Sequence, residues 1–134
     1  MIVSTKGRYA LRVMIDLAQH QDQQPLPLKE IAARQGISEK YLEAILKLLV
    51  QHHLVSGNRG KRGGYQLTRK PSEYTAWDII SAVENSFYAV ECLAPDAGTC
   101  ERASECATLP MWKDFNKAVE QFFRKYTLEN LAKQ

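Results

Sequence analysis

Leu28-Lys29-Glu30-Ile31-Ala32-Ala33-Arg34-Gln35-Gly36-Ile37-Ser38-Glu39-Lys40-Tyr41-Leu42-Glu43-Ala44-Ile45-Leu46-Lys47-Leu48-Leu49 decides the fold. Leu28, Ile31 and Ala32 form one apolar face of a short helix, and Gly36 follows where a left-handed C-terminal turn favours glycine. Ser38 has the hydroxyl of an N-cap, and behind it Leu42, Ile45, Leu46 and Leu49 repeat at helical spacing. Two helices joined by a tight turn at Gly36-Ile37 predict a helix-turn-helix. The second helix then exposes Lys40, Tyr41, Glu43, Ala44 and Lys47.

Upstream, Ser4 or Thr5 caps a helix with Tyr9, Val13 and Leu17 on one row and Ala10, Met14 and Ala18 beside it. Gln19 to Gln24, with Pro25 and Pro27 beyond, ends that helix. Downstream, Leu54-Val55 and Tyr65-Gln66-Leu67 read as short strands around Ser56-Gly57-Asn58-Arg59-Gly60-Lys61-Arg62-Gly63-Gly64. Four glycines and three basic residues in those nine positions predict a flexible, cationic hairpin tip. A basic hairpin directly after a helix-turn-helix is a wing. The fold expected is mostly α with a small β-hairpin wing, a winged helix-turn-helix over residues 1–74, followed by a cysteine-bearing loop and a long dimerisation helix over residues 75–134.

Charge is divided in the same way. Residues 1–75 carry twelve Lys/Arg against six Asp/Glu, whereas residues 76–134 carry six against nine. The basic front half suits a polyanion. A recognition helix presents its N-terminal residues to base edges in the major groove, and a basic wing reaches the minor groove or the backbone. The candidate DNA contacts are therefore Lys6, Ser38, Lys40, Tyr41, Glu43, Arg59, Lys61 and Arg62. Glu43 is the informative one, because phosphates repel an exposed carboxylate unless it accepts from a cytosine amino group. The bland alternatives are a solvated helix face and an ordinary hairpin; the ordered combination of elements argues against both.

All three cysteines, Cys92, Cys100 and Cys106, fall within 15 residues, in a stretch from 88 to 107 without periodicity. An odd count argues against a disulfide framework. Glu91, Asp96, Glu101 and Glu105 surround them with only Arg102 in opposition, so the thiols stay protonated or a metal neutralises them. Thiolates suit soft metals. Zinc usually takes four ligands and a CxxC-type clamp, which is missing, whereas an iron–sulfur cluster tolerates the C-x₇-C-x₅-C spacing found here. Zinc and thiol redox stay open as alternatives.

Thr75-Ala76-Trp77-Asp78 predicts a capping box opening a helix with Ile79, Ile80 and Val83. From Pro110 to Tyr126 a further helix would span about 25 Å. Its stripe Trp112, Phe115, Val119, Phe122 and Tyr126 is too large for a front half expected to close its own core, and predicts a homodimer interface. Two-fold symmetry would require a pseudo-palindromic operator. No apolar run approaches the ~20 residues of a membrane span. No secretion signal is present either, so a cytoplasmic protein without membrane partners is expected. Nothing assembles a nucleophile with a base, which argues against an enzyme. An iron–sulfur carrier is the other competing class, and for it the winged half would be superfluous.

Thr5-Lys6-Gly7-Arg8-Tyr9-Ala10, Ile37-Ser38 with Tyr41-Leu42-Glu43, and Arg59-Gly60-x-x-Gly63-Gly64-Tyr65 resemble the Rrf-two superfamily of bacterial transcription regulators, and within it the iron–sulfur cluster regulators. The resemblance reaches the final Thr127-Leu128-Glu129. It implies a homodimer whose cysteine loop lies beside a long dimerisation helix, with Glu43 and Arg59 at DNA-reading positions. It also favours a 2Fe–2S or 4Fe–4S cluster on Cys92, Cys100 and Cys106; incompletely protected, such a cluster is expected to be labile and so to respond to iron, redox or nitric oxide status. That pattern has a histidine three residues after its last cysteine, where this chain has Leu109, and a shorter first spacer. The fourth ligand is therefore unidentified: a carboxylate, a partner group or a small exogenous molecule.

Overall fold

The computed structural model describes residues 3–85 and 87–134. Three helices come first: α1 (Thr5–Gln19), α2 (Leu28–Gln35) and α3 (Glu39–Gln51). Strands β1 (Val55–Asn58) and β2 (Gly64–Leu67) form an antiparallel hairpin, and α4 (Ala76–Val83), α5 (Leu109–Arg124) and α6 (Leu128–Ala132) complete the chain. This is a mostly helical winged helix-turn-helix. Among the described residues no helix is long and apolar enough to cross a membrane.

Local chemistry explains the element ends. The Ser4 hydroxyl accepts from the Gly7 N–H at 3.2 Å, and the Ser38 hydroxyl accepts from the Tyr41 N–H at 3.2 Å. Each thereby satisfies one of the donors a helix start leaves unpaired. Thr75 and Asp78 form the reciprocal box at the start of α4. Gly36, at φ +63°, ends α2 in the left-handed region and turns the chain into α3.

One core holds these elements together. Val13, Met14 and Leu17 of α1, Ile31 of α2, and Leu42, Ile45, Leu46 and Leu49 of α3 are buried with Tyr74, Ile79, Val83 and Leu128. The packing therefore does not close within the first seventy or so residues, as the sequence reading expected. Helix α1 packs against α4 and α6 as well as α2 and α3, so its apolar surface is too wide for the helix-turn-helix to cover. With five residues α6 is far below the length of a self-sustaining helix; Leu128, fully buried, anchors it.

The hairpin also differs from expectation. Pairing extends from Val55↔Leu67 to Asn58↔Gly64, leaving five residues, 59–63, as the tip rather than nine. Gly57 pairs in the strand despite lacking a side chain because the ring of its partner Tyr65 lies across it. Leu26 adds a third edge, its N–H donating to Tyr65 O at 2.9 Å and its carbonyl accepting from Tyr65 N at 2.8 Å. At the other end, α5 stops at Arg124, and Tyr126 lies beyond it. The Tyr126 carbonyl instead accepts from Ala76 N at 2.8 Å, which joins the end of α5 to the start of α4.

Candidate nucleic-acid interface and cysteine loop

Burial of the Leu42, Ile45, Leu46 and Leu49 stripe fixes the rotation of α3 and leaves Ser38, Lys40, Tyr41, Glu43, Ala44 and Lys47 exposed. The wing then rises beside this face. A groove of about 640 Å³ separates them, with Glu43 and Lys47 of α3 on one wall and Asn58 and Arg59 of the wing on the other. Pro27, Val50 and Tyr65 contribute its apolar lining. Arg59, Lys61 and Arg62 are all exposed at the tip. The wing's approach to the body depends on Gly64 (φ +151°): a Cβ there would sit 2.4 Å from the Leu26 carbonyl oxygen.

Lys6, half-buried, lies on the first turn of α1, and a further α1 residue, Tyr9, meets this face of α3. The Tyr9 ring meets the Tyr41 ring edge-on, with centroids 5.8 Å apart and planes at 79°. The Arg12 guanidinium lies over Tyr9, 5.1 Å from its centroid. Arg12 also donates through Nε to Gln35 Oε1 at 3.1 Å and through Nη2 to the Gln35 carbonyl. Gln35 continues the chain of contacts, donating to Asp16 Oδ1 at 3.1 Å. Asp16, with 2% of its side chain exposed, accepts the bidentate fork of Arg34 at 2.9 and 2.8 Å. The Asp16 hydrogen bond, opposed by burial, raises the Arg34 pKa above its already high ordinary value. Sequence reading placed Tyr9 only in the α1 stripe and missed Arg12; the i, i+3 spacing of Tyr9 and Arg12 was the available signal.

The cysteine segment is a run of turns. Cys92 lies in a short 3-10 turn, Glu91–Leu93, and is exposed, as is Cys100; Cys106 is half-buried. The Ala89 N–H donates to Asn116 Oδ1 at 2.8 Å, fastening the start of this segment to α5. At the other end Cys106 Sγ is 3.5 Å from Thr108 Oγ1. That hydrogen bond first, then the Thr108 and Leu109 backbone N–H groups and Arg102, hold the Cys106 thiol below its ordinary pKa against a smaller opposing effect of burial. The donors fit a soft metal in kind. Their arrangement does not: the described residues contain no group of three or more His, Cys, Asp or Glu placed to hold a metal ion.

Helix α5 buries none of its residues. Phe115, Phe122 and Tyr126 are 44%, 50% and 43% exposed, and Trp112 and Val119 are half-buried. Met111, absent from the expected stripe, is also exposed. Phe115, Val119 and Phe122 line an apolar groove of about 380 Å³ with Val3 and Phe87. Phe123 lines the same groove, packing on Phe122 at 5.3 Å and on Phe87 at 5.8 Å, and Phe87 in turn packs on Trp77 at 5.5 Å.

Comparison with known proteins matches this arrangement. The model of the Rrf2 family, described as an iron-dependent transcriptional regulator, matches residues 3–134. The HTH-type transcriptional regulator IscR of Xenorhabdus nematophila is 38% identical over 133 residues, covering 99% of this chain and 80% of that protein. The solved structure of T. potens IscR is 35% identical with a TM-score of 0.76, covering 99% of this chain and 87% of that one. The oxidized form of Staphylococcus aureus CymR is 34% identical with a TM-score of 0.75, covering 100% of this chain and 98% of that one.

Proposed function

The chain belongs to the Rrf2 family of DNA-binding transcription regulators, and on that premise we propose that it works as a homodimer on pseudo-palindromic operator DNA, with the cysteine loop as its sensor. The observation that carries this reading is the shared groove. Glu43, on the recognition helix, and Arg59, on the wing, line one channel although 16 positions separate them in sequence. Glu43 accepts from a base in the major groove, Ser38, Lys40 and Tyr41 contact bases and phosphates, and Lys6, Arg59, Lys61 and Arg62 supply positive charge.

Dimerisation through α5 accounts for its exposed aromatic residues. Two copies related by a two-fold axis bury Trp112, Phe115, Val119, Phe122 and Tyr126 against one another. They also set two reading heads on half-sites one or more helical turns apart. Cys92, Cys100 and Cys106 are the residues that would hold an iron–sulfur cluster, and because they are not gathered in this structure the turns between them would first have to bring the three thiols together. Such a cluster would supply a cross-link and a change of charge at these three loop positions. It would shift DNA binding only by its difference in affinity for the two protein states.

A second reading keeps the DNA-binding half and uses the thiols directly, through zinc or oxidation. It is favoured by the ungathered cysteines, two of them exposed and Cys106 half-buried, and by the likeness to a regulator solved in an oxidized form. Anaerobic purification with an absorption spectrum and iron and sulfide counts separates the two. Coloured protein with stoichiometric iron and sulfide, both lost in Cys106→Ala, is expected; colourless or zinc-loaded protein overturns the cluster reading. Footprinting on genomic fragments tests the DNA reading, and light scattering tests the dimer.

A further inference from the structure

We infer that Tyr9 and Arg12 of α1 are positioning residues for sequence reading: they hold the Tyr41 ring in its reading pose without touching DNA themselves. The inference rests on the proposal that Tyr41 contacts the operator. Tyr41 occupies the first turn of α3 and is 37% exposed, so an unsupported ring there would exchange rotamers in solvent and lose that freedom on binding DNA. The edge-on contact with Tyr9, at 5.8 Å and 79°, removes that freedom beforehand. Tyr9 is itself held in place, since Arg12 covers its ring at 5.1 Å.

Arg12 is anchored in turn at the helix-turn-helix corner. Its guanidinium donates to both the side chain and the backbone carbonyl of Gln35, the last residue of α2. Gln35 is tied to buried Asp16, and the next residue, Gly36, makes the left-handed turn into α3. One arginine thus fixes the angle at which α3 leaves the turn and the position of the ring on its first turn. Both errors, in helix angle and in ring pose, would blur base discrimination while leaving general attraction to phosphate intact.

The test uses full-length protein and an operator enriched from random duplexes on the unaltered protein. Affinity is measured for that site, for sites substituted at single base pairs, and for a random duplex, across a salt series. Tyr9→Leu and Arg12→Met should each lower discrimination about three- to tenfold, the range of one aromatic contact, with the random-duplex affinity and salt slope unchanged. Tyr9→Phe, which keeps the ring, should restore it. In a Tyr41→Ala background, Tyr9→Leu should cause no further loss. A ¹³C-tyrosine spectrum should show the Tyr41 ring resonances moving in Tyr9→Leu while α-helical content is retained.

Equal losses in both backgrounds overturn the inference. So does a uniform weakening on every duplex with the salt slope reduced by about one, which marks a direct phosphate contact. Unchanged discrimination in Tyr41→Ala removes instead the underlying reading of Tyr41 as a DNA contact. Should Tyr9→Leu fold poorly, Arg12→Met at its exposed position and Tyr9→Phe still decide the question.

Discussion

Glu84 caps the first helix from 80 positions away, its Oε1 accepting from the Ser4 backbone N–H at 2.9 Å and from the Ser4 hydroxyl at 2.6 Å. The same hydroxyl accepts from Gly7, so Ser4 is held from both sides. Glu84 is also the residue at which α4 ends. The chain that runs on towards the cysteines therefore leaves from the base of the helix carrying Lys6, Tyr9 and Arg12.

Removing this carboxylate in Glu84→Ala should cost about 1–2 kcal/mol, the sum of a lost cap and unfavourable exposure of the helix N-terminus. Glu84→Gln, which retains an acceptor, should cost less. Gly7 provides the sharper test. A Cβ at Gly7 would lie 2.3 Å from Glu84 Oε1, so Gly7→Ala displaces the cap. In the Glu84→Ala background that clash is absent and only the half-buried Val3 side chain, 3.1 Å from the new Cβ, has to shift slightly, so the ordinary helical preference for alanine, about 1 kcal/mol, should make Gly7→Ala stabilising. Urea unfolding of the four proteins reads the sign change; the same sign in both backgrounds would sink the idea.

Two glycines with positive φ should respond very differently to alanine. Gly36, at φ +63°, has nothing within 4 Å of its would-be Cβ, so Gly36→Ala should cost only the left-handed backbone strain, about 1–2 kcal/mol. Gly64 has backbone at 2.4 Å, the Leu26 carbonyl, which cannot turn aside as a side chain can. Gly64→Ala should break the Leu26–Tyr65 pairing, cost more than Gly36→Ala, and lower DNA affinity by displacing the wing. Amide exchange at Leu26 and Tyr65, faster in Gly64→Ala alone, checks the mechanism.

Local signals made the helix-turn-helix legible. Ser38, Gly36 and the Leu42–Leu49 stripe each act within one or two turns, and all gave the same answer. Leu26, Tyr74 and Asp16 carried no such signal because their partners are remote: Tyr65, the wing base and Arg34. The eight DNA candidates lie on short, locally determined elements, so placing α3 and the wing placed most of them. The cysteines share sequence proximity without spatial convergence, since a loop of turns has no periodicity that sets where its thiols point.

Tyr74 is the clearest residue that patterning missed. Fully buried, its hydroxyl accepts from Thr68 N at 2.9 Å and Arg69 N at 3.0 Å, and donates to Leu54 O at 2.8 Å. These groups lie at the base of both wing strands. Tyr74→Phe keeps the ring and leaves backbone groups without a partner, so a loss of about 1–3 kcal/mol is expected. Leu128→Ala should cost about 2–5 kcal/mol if α6 belongs to the same core. A single cooperative denaturation for both variants is the expected result; an early, separate transition in Leu128→Ala would mean that α6 unfolds by itself.

The Asp16–Arg34 pair joins α1 to α2 and should show the asymmetry of buried ions. Arg34 has 31% of its side chain exposed and also lies 3.8 Å from Glu30, whereas Asp16 is enclosed. Arg34→Met strands the carboxylate beside Gln35 and His20, for which the full penalty in a buried pair is about 3–5 kcal/mol. Partial exposure places this case at the lower end. The double variant Asp16→Leu/Arg34→Met removes the stranded charge and should be more stable than Arg34→Met. Equal or lower stability in the double variant would show that the carboxylate is better solvated than its enclosure implies.

Charge at the interface should divide into two kinds of effect. On the proposed reading, Lys61 and Arg62 at the exposed tip contact phosphates, so replacing either with alanine should weaken all duplexes similarly and reduce the salt slope by about one. Glu43 lines the same groove as Arg59 but carries the charge that DNA repels. Glu43→Ala should therefore leave affinity for a random duplex unchanged or raised, while relaxing discrimination at one base pair by about 1–3 kcal/mol. Fluorescence anisotropy on the enriched operator and its single substitutions measures both quantities. If Glu43→Ala instead weakened every duplex equally, Glu43 would be supporting Arg59 rather than reading a base, and the wing would carry the selectivity assigned to α3.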